Sequence, residues 1–284
     1  MVIPTPVRWI IRGRDLLAGG RPLVMGVVNA TPDSFSGGTP SMAQSVELAG
    51  RMVREGADIL DIGGESTRPG AAPVDAAEES RRVVPVIREL AREHPGLPIS
   101  VDTMKASVAR EAVDAGASII NDVSALGDPD MARVAADTGA GLVLMHMRGT
   151  PSTMQQAPAY ADVVGEVVGH LEERLGMALA AGVARTCVAL DPGIGFGKSL
   201  GHNLGLLGRL SELRRPGLPV LLGVSRKSFL GAITGRPVGE RLAGTLAAQA
   251  VALARGEADM IRVHDVPEAV DLVKVVTAIR GAGG

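Results

Sequence analysis

Short aliphatic runs recur along the chain, each followed by a polar turn and then a longer stretch with apolar residues at helical spacing. The runs are Leu23–Asn29, Asp58–Gly63, Ile99–Asp102, Ser118–Asp122, Leu142–Met147, Val188–Asp191, Val220–Ser225 and Met260–His264. In the stretch after the first run, Val46, Leu48, Met52 and Val53 fall roughly on one helical face; after the third, Val108, Ala112 and Val113 do the same. Gly56-Ala57, Gly116-Ala117 and Gly139-Ala140 stand where helices should stop ahead of the next strand. Strands alternating with helices imply parallel pairing and right-handed crossovers. Eight such units favour a closed (β/α)8 TIM barrel of the α/β class over an open doubly wound sheet. No linker or low-complexity segment interrupts the pattern, so residues 1–284 read as one domain. Residues 5–20 precede the first unit and are expected to cap the bottom of the barrel.

Nearly every run ends on a polar residue: Asn29, Asp61, Asp102, Asn121, His146, Asp191, Ser225, and Arg262 with His264. In a barrel of this kind the site is built at the C-terminal ends of the strands. A single Asp or Asn at a strand end is at least as often a cap or turn former. Eight strand ends behaving alike are harder to assign to capping. Side chains alternate along a strand, so Arg262 and His264 share a face and should point together into the barrel mouth.

Composition narrows the choices. Hydrophobic residues make up 46 % of 284 and charged residues 21 %, enough for a sizeable core. The net charge of −2 offers no field suited to nucleic acid or to an anionic membrane, so an anionic ligand must be held by local charge. The single cysteine, Cys187, excludes an intrachain disulfide and, among apolar neighbours, reads as a buried structural thiol. The apolar run Trp9–Ile11 is too short for a signal peptide, and nothing approaches a spanning length; the expectation is a cytoplasmic protein.

Four loops carry the candidate chemistry. The first, Thr31-Pro32-Asp33-Ser34-Phe35-Ser36-Gly37-Gly38, is small, polar and glycine-rich, and reads as a mobile lid. The second, Gly63–Gly70, offers Thr67 and Arg68 as donors for a phosphate or carboxylate. The third, Asp191–Ser199, fails as a nucleotide P-loop because Pro192 stands where a glycine is required, and its glycine spacing is wrong for a dinucleotide fingerprint. It reads instead as a tight turn presenting Asp191. The fourth, Ser225-Arg226-Lys227-Ser228-Phe229, follows the seventh run. Arg68, Lys227, Arg262 and His264 together can make a locally cationic pocket. Phe35, Phe196 and Phe229 all lie within these polar motifs, and Phe35 and Phe196 read as walls for a flat ligand.

In order and spacing, the segments Met25–Ser36, Asp61–Gly70, Ser100–Thr103, Ile120–Val123, Met145–Met147, Asp191–Lys198, Ser225–Ser228 and Arg262–Val266 resemble the dihydropteroate synthases, over nearly the whole chain. The resemblance implies a Mg2+-dependent transferase of folate biosynthesis and a sulfonamide target. It would join 6-hydroxymethyl-7,8-dihydropterin diphosphate to para-aminobenzoate. It places the pterin on Asp102, Asn121, Asp191 and Lys227, and the diphosphate on Asn29, Thr67, Arg262 and His264, with Asn29 also touching Mg2+. The aminobenzoate would lie against Phe35, Thr67, Arg68, Pro69, Phe196, Lys227 and Ser228. Asp102, Asp191, Lys227, Arg262 and His264 are the implied catalytic set, and family members are commonly homodimers. One departure stands out: the family usually has an aspartate between Ser36 and the two glycines, and here Gly37 follows directly. The alternatives are a corrinoid-linked methyltransferase of the same barrel type, which would not need the diphosphate residues, a non-catalytic pterin-binding paralogue, and a phosphate-binding barrel isomerase.

Overall fold

A computed structural model describes residues 7–31, 41–68 and 70–282. Strands β1 (Ile10–Ile11) and β2 (Arg14–Asp15) form a small antiparallel hairpin. Eight parallel strands follow: β3 (Leu23–Asn29), β4 (Ile59–Gly63), β5 (Ile99–Asp102), β6 (Ile119–Asp122), β7 (Gly141–Met145), β8 (Val188–Asp191), β9 (Leu221–Leu222) and β10 (Met260–Val263). Their order is β8-β7-β6-β5-β4-β3-β10-β9, and a parallel bridge between Leu190 and Val220 joins the two ends. The expected (β/α)8 barrel is the observed fold.

Helices α1 (Met42–Arg54), α2 (Ala76–Glu93), α3 (Ala106–Asp114), α4 (Met131–Thr138), α5 (Val163–Ala180) and α6 (Leu200–Gly208) cover the outside in turn. Helices α7 (Ser228–Thr234) and α8 (Leu242–Ala254) both lie between β9 and β10, and α9 (Val266–Ala282) closes the ring. Among the described residues, no helix is long and apolar enough to cross a membrane.

The two-residue period of the strands sorts the side chains. Val24, Leu60, Ile120, Leu142, Leu190, Leu222 and Ile261 face outward into one core shared with the helices. Their neighbours Leu23, Met25, Ile59, Ile119, Val143, Ala189, Leu221 and Met260 face inward and pack with Trp9 and Ile11. The hairpin therefore plugs the bottom of the barrel, as expected of the N-terminal extension. Trp9 is fully buried and its Nε1 donates to the Cys187 carbonyl at 2.9 Å. The Cys187 thiol lies 3.0 Å from the Ile10 carbonyl, a structural place. Burying one such large side chain stabilises the fold by about 1.5–3 kcal/mol.

The seventh strand is shorter than its apolar run. Strand β9 holds only Leu221 and Leu222, with Val220 making the single bridge to Leu190 just ahead of it. At Gly223 the chain leaves it and turns, with the Lys227 amide donating to the Val224 carbonyl at 3.2 Å.

Candidate active site

The alternation that buries the apolar plug also builds the site. Two residues beyond Ile59, Ile119, Ala189 and Met260 come Asp61, Asn121, Asp191 and Arg262, on the same inward face but at the open end of the barrel. Asp102 reaches the same level from β5. Val27 and Met145, paired in register with Asp61 and Asp191, help line the cavity that Asp102, Asn121, Asp191 and Arg262 surround. Thr67, Phe196, Ser225, Lys227 and His264 complete its wall. Arg262 and His264 thus share a face and point into the mouth, not toward the helices.

Arg262 is the hub. Its Nε donates to Asp61 Oδ2 and its Nη2 to Asp102 Oδ2, both at 2.6 Å. Asp61 is fully buried, and the same Oδ2 accepts from Asn121 Nδ2 at 3.0 Å. The paired carboxylates hold the guanidinium above its ordinary pKa despite burial. Burial raises the Asp102 carboxyl to about 7, against the opposing charge of Arg262. Asp191 is also raised by burial, with Lys227 opposing. Both carboxyls are therefore easier to protonate than an exposed aspartate.

Lys227 extends from the turn after β9. Its Nζ donates to the Ile194 carbonyl and lies 4.4 Å from the centre of the Phe196 ring. Burial, opposed by Asp191, lowers it to about 8. Asp191 Oδ1 accepts from the Gly193 amide at 2.7 Å. A Cβ at Gly223 would stand 3.8 Å from both Asp191 Oδ2 and Lys227 Nζ, so the glycine leaves the floor between them open.

His264 is fixed by Ser225. The His264 amide donates to Ser225 Oγ at 3.3 Å, and that oxygen is 2.9 Å from His264 Nδ1. The hydroxyl thus ties the ring to its own backbone through Nδ1, either atom of that contact being able to donate. Partial burial of the ring, then the charges of Arg262 and Arg226, lower the imidazole of this otherwise exposed residue below its ordinary range. The next residue pair, Arg226 and Asp265, forms a two-point ion pair that braces the turn.

The remaining sequence-predicted residues divide clearly. Asn29 ends β3 with its side chain exposed. Thr67 lines the cavity, Arg68 and Ser228 are exposed near it, and Phe35 and Pro69 lie outside the described residues. Phe229 packs in the core between sheet and helices, an ordinary anchor. Asp122 faces away from the mouth, where its carboxylate holds Ser124 and Leu126 in a turn. Sequence reasoning passed over Asp61 as a working residue and missed Lys198 altogether. Lys198 is buried at 3 % exposure, with Nζ 2.9 Å from His146 Nδ1. A lysine closing a glycine-rich loop beside a strand that ends in histidine was the available signal. An acidic–basic–acidic arrangement also lies behind the second loop: Lys105 bridges Glu65 and the buried Glu79.

The model of the family described as pterin-binding enzymes matches residues 25–264. This chain belongs to that family, among its dihydropteroate synthases. It is 48 % identical to the dihydropteroate synthase of Escherichia coli K12 over 263 residues, 92 % of this chain and 93 % of that one. A structure of Xanthomonas albilineans dihydropteroate synthase with 4-aminobenzoic acid superposes with a TM-score of 0.88 at 48 % identity, covering 97 % of this chain and 99 % of that one. A structure of Burkholderia cenocepacia dihydropteroate synthase complexed with 7,8-dihydropteroate superposes with a TM-score of 0.88 at 43 % identity, covering 98 % of both chains. The match spans every strand end that lines the cavity.

Proposed function

We propose that this chain condenses 6-hydroxymethyl-7,8-dihydropterin diphosphate with para-aminobenzoate, forming 7,8-dihydropteroate and pyrophosphate in folate biosynthesis. The observation that carries this reading is one cavity in which Asp102, Asn121, Asp191 and Lys227 face Arg262 and His264 across the barrel mouth.

Asp102, Asn121, Asp191 and Lys227 bind the pterin edge, whose alternating donors and acceptors need partners of both kinds. Asn121 commits one amide hydrogen to Asp61 and keeps its carbonyl for the ligand. The diphosphate lies against His264, Arg262, Thr67 and Asn29. As the C–O bond to pyrophosphate breaks, positive charge spreads from the methylene into the pterin, and the Asp102 and Asp191 carboxylates stabilise it. The arylamine nitrogen then forms the new C–N bond and loses a proton. Phe196, Lys227, Thr67, Arg68 and Ser228 form its site, together with Pro69 and Phe35, which the family resemblance assigns to it. Asp102, Asp191, Lys227, Arg262 and His264 are thus the catalytic set.

Mg2+ fits this site through Asn29: one exposed amide oxygen suits an ion that keeps several waters and takes substrate phosphate oxygens. Bound there, it supplies neutralising charge to the leaving group. The enzyme works in the cytoplasm as a homodimer; exposed Val251 on α8 and Val275 and Ile279 on α9 supply an apolar face for pairing.

A coupled assay for pyrophosphate, run with and without para-aminobenzoate and with and without EDTA, tests the reading. Release should require both the arylamine and Mg2+. Methyl transfer to a corrinoid without pyrophosphate release would replace this assignment with the methyltransferase alternative.

A further inference from the structure

The glycine-rich segment after β8 is held by side chains from several parts of the barrel mouth. Four successive carbonyls each accept from a different side chain. Lys227 Nζ donates to Ile194, Gln155 Nε2 to Gly195 at 2.8 Å, Lys198 Nζ to Phe196 at 3.0 Å, and Tyr160 Oη to Gly197 at 2.8 Å. Gln155 and Tyr160 belong to the segment that follows β7. Lys198 reaches that side too: its Nζ lies 2.9 Å from His146 Nδ1 and 3.3 Å from the His146 carbonyl. The backbones of the two segments meet with no space between them. A Cβ on Gly193 would fall 1.8 Å from the His146 carbonyl oxygen, and one on Gly197 2.4 Å from that of Arg148.

An amine this deeply buried is costly unless its donors are satisfied. Here three acceptors surround Nζ, and two belong to His146, the residue just beyond β7. The third is the backbone of Phe196, whose ring stands over Lys227 at the cavity wall. We propose that Lys198 is a positioning residue that clasps the glycine-rich segment to the end of β7 and so sets the placement of the Phe196 ring, tuning arylamine affinity without touching either substrate. Gln155 and Tyr160 act in the same sense from the neighbouring carbonyls, as outer straps on the same wall. The chemistry of the contacts supports this. Burial, and then the charge of Lys198, pushes His146 down to about 2, so its ring is the neutral acceptor that the amine requires. The inference rests on the reading of Phe196 as part of the arylamine site.

Steady-state kinetics of Lys198→Met tests it, since Met keeps the length and apolar stem while removing the donors. We expect KM for para-aminobenzoate to rise tenfold or more, with KM for the pterin diphosphate within twofold and kcat within threefold of wild type. Tyr160→Phe and Gln155→Ala each remove one strap and should raise the same constant two- to fivefold. These two variants decide the matter alone if Lys198→Met does not fold. A loss of kcat or of melting temperature with both KM values unchanged, in whichever variants are soluble, overturns the proposal and leaves Lys198 a packing residue. Arylamine-dependent pyrophosphate release by the wild type separates the two levels of the argument. An inactive wild type refutes the functional reading and this proposal with it; an active one with unmoved KM values refutes this proposal only.

Discussion

Replacing Asp61 with Ala should damage both fold and chemistry, because one oxygen of this side chain holds two working residues. Asp61 Oδ2 accepts from Arg262 Nε at 2.6 Å and Asn121 Nδ2 at 3.0 Å, while the carboxylate itself is fully buried. Removing one partner of a buried ion pair costs about 3–5 kcal/mol, and the orphaned Asn121 donor adds about 1 kcal/mol or more. The Arg262 side chain is 23 % exposed and keeps Asp102, which brings its share below that range, to about 2 kcal/mol, and the sum to about 3 kcal/mol. At the usual sensitivity of a chain this size, that is a fall in Tm of roughly 6–12 °C. With Arg262 and Asn121 no longer aimed, kcat/KM should fall about 100-fold. Asp61→Asn is the control. Asp61 Oδ1 has no hydrogen-bond partner, so an asparagine can put its carbonyl at the Oδ2 position and its NH2 where nothing clashes in hydrogen bonding. It should lose only the charge and about 1–2 kcal/mol. Urea unfolding and pyrophosphate release measure the two effects. An Ala variant within 0.5 kcal/mol and threefold of wild type would show that Arg262 is held by Asp102 alone.

Three further outcomes can be measured. Asp191→Ala should weaken binding of a pterin ligand by roughly 1–3 kcal/mol, read by calorimetry; unchanged affinity would remove Asp191 from the pterin site. His146 is pushed to about 2 from 6.5, so between these values the unfolded chain binds a proton that the folded one does not. Its share of stability is present above pH 6.5 and is lost as pH falls, at about 1.4 kcal/mol per pH unit; urea midpoints of His146→Gln should decline less steeply below pH 6.5 than those of wild type. If Phe35 belongs to the proposed arylamine site, Phe35→Ala should raise KM for the arylamine more than that for the pterin diphosphate; an effect confined to the pterin would remove Phe35 from that site.

The sequence by itself determined the barrel and the rim of the site. Runs such as Val188–Asp191 carry their whole logic locally: apolar side chains cover both faces of a buried strand, and the terminal polar residue must then sit at an open end. The inward direction of Arg262 and His264 also follows from a period of two, which no tertiary contact can alter without slipping the register. What the sequence could not determine was which polar groups meet. Asp61 and Asp102 find Arg262 across 201 and 160 residues, and that meeting depends on the stagger of strands closing into a barrel. The seventh strand shrank to Leu221–Leu222 for a similar reason: apolarity predicts burial, but pairing ends where the chain must turn to bring Lys227 beside Asp191. Phe229 shared a motif with Lys227 yet went to the core, because the first turn of α7 points it outward from the barrel. Lys198 was invisible locally, since a lysine after a glycine-rich turn is ordinarily solvated. Only the close approach of two loop backbones, which leaves no room even for a Cβ at Gly193, turns it inward and gives its three donors their partners.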